Sequence, residues 1–245
     1  MASKHHTDDV YRPKRIPKNP IKFKLQLNEE QKQAKQIILD NTITLLGGSA
    51  GSGKTLLACN VALDGHLRRQ YDKIIITRPT VSKEEIGFLP GDLREKMDPW
   101  VQPIYQNFFA LYDKVKIEKL ITDGKIEIVP VSFMRGRTFM DSMIIVDEAQ
   151  NVTHEQMEMI TSRIGLRSKM MVCGDAHQTD LKRKADSGFK FLYTAARKIK
   201  NLEAITLLTN HRNTIVEDLL KYYDEAVDKG VSITTSGSYI YNSKN

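Results

Sequence analysis

The strongest chemical signal in this chain is the stretch Gly48-Ser49-Ala50-Gly51-Ser52-Gly53-Lys54-Thr55, which has the spacing G-x-x-x-x-G-K-[ST] of a nucleoside-triphosphate-binding P-loop. Glycines at these positions let backbone N–H groups crowd round phosphates, and a helix starting here adds its partial positive charge. All eight residues are candidate cofactor-binding positions, with ATP as the ligand. Lys54 reaches the β- and γ-phosphates, and the Thr55 hydroxyl suits Mg²⁺. The plain alternative is a flexible Gly/Ser turn before a helix. The flanks argue against it, because Ile43-Thr44-Leu45-Leu46 reads as a strand and Leu56 to Leu63 as a helix.

Hydrolysing ATP also needs a metal ligand, a group to orient water and a sensor of the γ-phosphate. Each has a candidate where an apolar strand ends, the place where open α/β sheets bind ligands. Asp147 and Glu148 follow the strand at 142–146. Asp147 would hold Mg²⁺ through water, and Glu148 would polarise the attacking water. Gln178, in Gly174-Asp175-Ala176-His177-Gln178, would contact the γ-phosphate, although an ordinary strand-to-loop exit reads the same way. Gln31 is the candidate for adenine, since an amide both donates and accepts. It also stands three residues after Asn28, where a capping-box glutamine would be. Arg78, Arg135 and Arg137 sit near strand ends. They would touch nucleic-acid phosphates, line the nucleotide site, meet a neighbouring subunit, or form surface ion pairs.

The elements that must position these groups alternate. A helix from Asn28 to about Leu39 precedes the P-loop strand. Strands follow at 73–78, 125–129, 142–147 and 169–175 and near 204–208, with helices at 100–112, 117–123, 153–164 and 187–199. A final helix is expected over 214–227, and a small hairpin over 231–241. The uninterrupted apolar run Met143-Ile144-Ile145-Val146 predicts a strand buried on both faces, as in a parallel sheet. The expectation is an α/β fold: one P-loop domain at 25–228 with a doubly wound, mostly parallel sheet, between a basic arm (1–24) and a C-terminal tail (229–245). Trp100, Phe108, Phe109 and Tyr112 recur at helical spacing and are expected in the core.

Hydrophobic residues make up 40% and charged residues 27%, a globular composition. No apolar run nears the ~18 residues of a membrane span, and no leader-like apolar segment opens the chain, so a cytoplasmic protein with no membrane partner is expected. Cys59 and Cys173 lie in apolar patterns and read as buried, reduced thiols, with no metal cluster. The net charge is +7, and residues 1–24 supply +5 of it, from seven basic side chains against Asp8 and Asp9. Broken by Pro13, Pro17 and Pro20, this arm is either a nucleic-acid contact or a solubilising tail.

Taken together, these segments resemble the PhoH-like family, a branch of RecA-like P-loop ATPases related to superfamily-1 helicases. The resemblance spans roughly residues 25 to 225. It rests on Leu27 to Gln31, the P-loop, Thr77-Arg78-Pro79, Gly87-Phe88-Leu89-Pro90-Gly91, Met134-Arg135-Gly136-Arg137-Thr138-Phe139, Asp147-Glu148-Ala149-Gln150 and Gly174 to Gln178. The compact length and short arm look more like phage members. The resemblance implies ATP and Mg²⁺ as cofactors, ATP hydrolysis, and helicase-like action on RNA or single-stranded nucleic acid. It departs from the family after Gln178, where Asp180-Leu181-Lys182 stands in place of Asp-Leu-Pro. It departs again near the last strand, where Asn210 precedes His211 and Arg212 follows it. A single RecA-like domain needs a second subunit to close its site. A homo-oligomer, a ring, is therefore expected, with Arg212 as first candidate for a catalytic arginine acting across subunits. A small-molecule kinase and a nucleotide-gated scaffold are the competing functions.

Overall fold

The computed structural model describes residues 23–79, 93–176, 178, 181, 186–196, 198–211, 214–216, 218, 219 and 222, with backbone alone over 93–101. The basic arm up to residue 22, the Gly87–Gly91 marker, the side chain of Trp100, Arg212 and the 231–241 hairpin lie outside the described residues. The chain divides into two compact units, Met1–Thr209 and Asn210–Asn245. In the second, the backbone is helical at 214–216, 218, 219 and 222.

The first unit is built on six strands: β1 (Ile43–Gly48), β2 (Lys73–Thr77), β3 (Ile126–Ile128), β4 (Ser142–Val146), β5 (Lys169–Cys173) and β6 (Leu202–Leu207). Their order is β3-β2-β4-β5-β1-β6, and every pairing is parallel. Parallel neighbours cannot be joined by tight turns, so helices must return the chain. These are α1 (Glu29–Asp40), α2 (Lys54–Leu67), α3 (Leu93–Leu111), α4 (Lys114–Thr122), α5 (His154–Thr161) and α6 (Gly188–Ala195).

Successive side chains of a strand point to opposite faces, and the apolar runs here feed two cores. Leu46, Ile74, Ile76, Met143, Ile145 and Met171 pack with Ala34 and Ile38 of α1, Leu57, Val61 and Leu63 of α2, Ile104 and Phe108 of α3 and Ile117 of α4. Leu45, Ile75, Ile144, Val146, Met170 and Val172 pack with Phe139, Met157 and Ile160 of α5, and Phe189 of α6. The doubly wound parallel sheet expected from the sequence is therefore present. Helix α2 is buried along Leu57–Gly65, as a helix enclosed by sheet and helices must be. Phe108 is in the core, with Phe109 and Tyr112 packed against it.

Caps set the helix starts. Asn28 accepts a hydrogen bond from the Gln31 N–H at 2.8 Å, and the Gln31 side chain accepts from the Asn28 N–H at 3.2 Å. Thr153 and Gln156 form the same reciprocal pair at the start of α5. Several boundaries differ from expectation: α4 begins at Lys114 rather than Ile117, and α5 ends at Thr161 rather than Ile164. Helix α3 begins at Leu93 rather than Trp100; Pro99 lacks an N–H donor and so reads as a helix start, yet the helix runs through it. Helix α6 ends at Ala195 rather than Ile199, capped at Ala196.

Candidate active site

The P-loop leaves β1, whose neighbours are β5 and β6. The chain turns at Gly48, Gly51 and Gly53, with φ of 140°, 91° and 82°, conformations glycine adopts without steric cost. At Gly48 crowding adds a second constraint. A Cβ there would stand 2.5 Å from the Leu207 carbonyl oxygen and 2.7 Å from Ser52 Oγ. Ser52 is buried, and its N–H donates to the Ser49 carbonyl at 3.2 Å. Gly53 is the N-cap of α2 and brings no side chain to cap the first-turn N–H groups. Such a helix start favours a bound anion. Lys54 Nζ donates to the Gly48 and Ser49 carbonyls at 2.7 and 2.8 Å, so the ammonium is fixed over the loop it belongs to.

Thr55, in the first turn of α2, donates its hydroxyl to Asp147 Oδ1 at 2.7 Å. Strand β5 lies between β1 and β4, so this bond spans two strand positions and joins the P-loop to the β4 exit. The Asp147 N–H continues the ladder onto the Thr77 carbonyl at 2.8 Å. Asp147 is buried. Burial raises its carboxyl pKa above the ordinary value; the Thr55 hydroxyl and the Arg78 charge pull it back, and the Glu148 charge pushes it further up. The donor set is a buried carboxylate beside a hydroxyl. These are hard oxygens, which suit Mg²⁺, and a cation would offset the burial that disfavours the carboxylate. The residues present therefore fit the metal.

Glu148 is one of five non-glycine residues with positive φ in the described structure, at φ 48°, ψ 39°. That left-handed turn starts a short 3₁₀ segment, Ala149–Asn151. A non-glycine residue held there costs about 1–3 kcal/mol and is a recurrent feature of functional sites. Arg78 follows β2, the neighbour of β4, and its guanidinium lies 3.4 Å from Glu148 Oε1. Gln150 donates to the other oxygen, Oε2, at 2.6 Å.

The structure thus brings Lys54, Thr55, Asp147, Glu148 and Arg78 to one edge of the sheet. Gln178 is exposed on the β5 exit. Gln31 is buried and engaged in its cap. Arg135 is exposed. Arg137 forms an ion pair with Glu127 at 2.8 Å and lies over the Phe139 ring at 4.8 Å, so its contacts here are structural. Cys59 and Cys173 are free and buried; burial, then the nearby Asp147 charge, pushes both thiols well above their ordinary pKa.

Two further residues were not singled out by sequence reasoning. Glu30 accepts the N–H groups of Leu208 and Thr209 at 2.6 and 3.1 Å, tying the first turn of α1 to the end of β6. In sequence it looks like any first-turn acid favoured by the helix dipole. In sequence Gln150 stands only as the last residue of the Asp-Glu-Ala-Gln marker. The one available signal was its place between an acidic pair and a helix cap, where an amide has several partners in reach.

A P-loop at the end of β1, closed by a carboxylate from β4 in an all-parallel sheet, defines a RecA-like P-loop protein. Comparison with known proteins narrows this class. The family model described as PhoH-like protein matches residues 25–224, and the chain belongs to that family. It is 38% identical over 200 residues to a PhoH-like protein of Synechocystis sp., covering 81% of this chain and 60% of that one. With a PhoH-like protein of Bacillus subtilis the identity is 41% over 184 residues, covering 74% and 57%. With Protein PhoH of Escherichia coli K12 it is 38% over 167 residues, covering 67% and 47%. The chain therefore spans three-fifths or less of the length of these relatives. Among solved structures, a Pif1 helicase from Candida albicans is similar with a TM-score of 0.45 and 17% identity, covering 87% of this chain and 46% of that one. The large terminase of a thermophilic bacteriophage gives 0.46 and 12%, covering 88% and 52%. At these scores the two likenesses add nothing to the geometry above.

Proposed function

We propose that this chain binds Mg-ATP at the P-loop, hydrolyses it, and couples hydrolysis to RNA or single-stranded nucleic acid in a helicase-like manner. The observation that carries this reading is the 2.7 Å bond from Thr55 to Asp147. It sets the P-loop hydroxyl, a buried carboxylate and the neighbouring Glu148 at one strand edge.

The roles follow from chemistry. The P-loop N–H groups from Gly48 to Thr55 cradle the phosphates, and Lys54 leaves its loop carbonyls to meet the β- and γ-oxygens. Thr55 and, through water, Asp147 hold Mg²⁺, which when bound neutralises phosphate charge. Glu148 accepts a proton from the attacking water, or polarises it. Arg78 lies beside Glu148, with its guanidinium 3.4 Å from Oε1. The Gln31 side-chain nitrogen donates to the adenine edge while its oxygen serves the cap. Gln178 senses the γ-phosphate. A second copy closes the site in a homo-oligomer, with Arg212 presented across the interface.

The test is ATP turnover with and without single-stranded RNA and DNA, on protein of known mass in solution. Stimulation by nucleic acid is the expected result. Turnover indifferent to both nucleic acids would overturn the coupling. A phosphorylated small-molecule product would replace the hydrolase reading with a kinase.

A further inference from the structure

We propose that Gln150 is a positioning residue: its amide sets the orientation of the Glu148 carboxylate and ties it to the backbone of the β5 exit. This rests on the reading of Glu148 as the group that acts on water.

Gln150 is buried, and its polar atoms meet three elements of the site. Nε2 donates to Glu148 Oε2 at 2.6 Å. Oε1 accepts the Asp175 N–H at 3.1 Å. The backbone carbonyl accepts the Ser187 hydroxyl at 3.0 Å, and Ser187 is the N-cap of α6. The short turn that holds Gln150 is fixed at both sides. Asn151 N–H returns to the Glu148 carbonyl at 3.0 Å, and Gly188 N–H donates to the Val152 carbonyl at 2.8 Å. Gly188 leaves no space for a side chain there, since a Cβ would lie 2.5 Å from Met157 Cβ and 2.7 Å from the Thr153 carbonyl oxygen.

Chemistry fixes which way the amide faces. An ionised carboxylate only accepts, and a backbone N–H only donates. The nitrogen must therefore face Glu148 and the oxygen Asp175; a flipped amide would lose both bonds. Among the described residues, the contact from Gln150 to the Glu148 carboxylate is shorter than the 3.4 Å contact from Arg78. Glu148 itself is 42% exposed at its side chain, so packing alone does not hold its rotamer. The amide does, and its other end belongs to the loop expected to sense the γ-phosphate. A shift of that loop at Asp175 passes to the carboxylate through one side chain.

The test is single-turnover ATP hydrolysis alongside Mg-ATP affinity for Gln150→Met and Gln150→Glu, each also combined with Glu148→Gln. Gln150→Met removes both bonds. Gln150→Glu keeps an acceptor for the Asp175 N–H but opposes the Glu148 carboxylate with another. Both are expected to slow hydrolysis by about 10²-fold, the scale of a misplaced reacting group, with Mg-ATP affinity retained. In the Glu148→Gln background neither should add a further loss, because residues acting as one unit are not additive. Hydrolysis at the wild-type rate in Gln150→Glu would mean the tie to Asp175 is all that matters, and would overturn the proposal. So would losses that multiply with that of Glu148→Gln, or Mg-ATP affinity lost in both single variants. Wild-type hydrolysis by Glu148→Gln alone would instead remove the reading of Glu148 on which the proposal stands.

Discussion

Gly48 shows how tightly single positions are set around this site. Its φ of 140° and the 2.5 Å approach of the Leu207 carbonyl to any added Cβ leave no room that a flexible side chain could yield. Gly48→Ala should lower the melting temperature, with a cost above about 1 kcal/mol, and weaken Mg-ATP binding by distorting the cradle. A thermal melt and an ATP titration check both effects, and unchanged affinity would contradict the role of the loop. At this scale the sequence was readable where spacing alone imposes geometry. The P-loop needs its glycines and its Lys-Thr pair in a fixed run, and Asp147-Glu148 ends an apolar strand. Glu30 was not readable, nor was the tie of Gln150 to the β5 exit, because these contacts are to backbone groups at 208, 209 and 175. Backbone groups have no residue type, so no pattern of residue types marks them.

At the scale of elements, α1 and α2 are joined by charge as well as by apolar packing. Asp64 of α2 bonds Lys35 of α1 at 2.8 Å and Arg68 at 2.7 Å. Burial pushes the Asp64 carboxyl up, but the hydrogen bonds and charges of Lys35 and Arg68 outweigh it and hold the pKa below its ordinary value. A depressed folded-state pKa gives stability that is present above the unfolded value and lost as pH falls through the folded one. Asp64→Asn should therefore cost about 1–2 kcal/mol near neutral pH, after allowing for the exposure of Lys35 and Arg68. The gap to wild type should close in acid below the ordinary carboxylate range. Urea unfolding across that range measures it, and a gap independent of pH would show that charge is not the cause. The strands were readable because burial on both faces demands continuous apolar runs, as in Ser142–Val146. The start of α3 was not, because a helix that runs through Pro99 violates the local rule that proline marks a boundary.

At the scale of the whole molecule, two proposals concern what the chain meets. If the basic arm contacts nucleic acid, deleting residues 1–22 should weaken binding and flatten its salt dependence, since fewer phosphate counterions are released. Basal ATP turnover should hold. An unchanged salt slope, measured by titration at several salt concentrations, would make the arm a tail. If Arg212 acts across an interface, Arg212→Ala protein should be nearly inactive alone, since such arginines contribute about 10³–10⁵ in rate. Mixing it with Lys54→Ala protein should restore part of the activity, because some interfaces then pair an intact P-loop with an intact arginine. Failure to complement in assemblies shown to be mixed would remove Arg212 from that role.

If the joined P-loop and β4 exit form a hydrolytic ATP site, Glu148→Gln should separate binding from chemistry. The substitution keeps the shape and removes the negative charge that acts on water. Mg-ATP affinity and turnover should be measured on the same preparation. Affinity should stay close to wild type while turnover falls by about 10²-fold or more. Wild-type turnover, or affinity and turnover falling together, would contradict it.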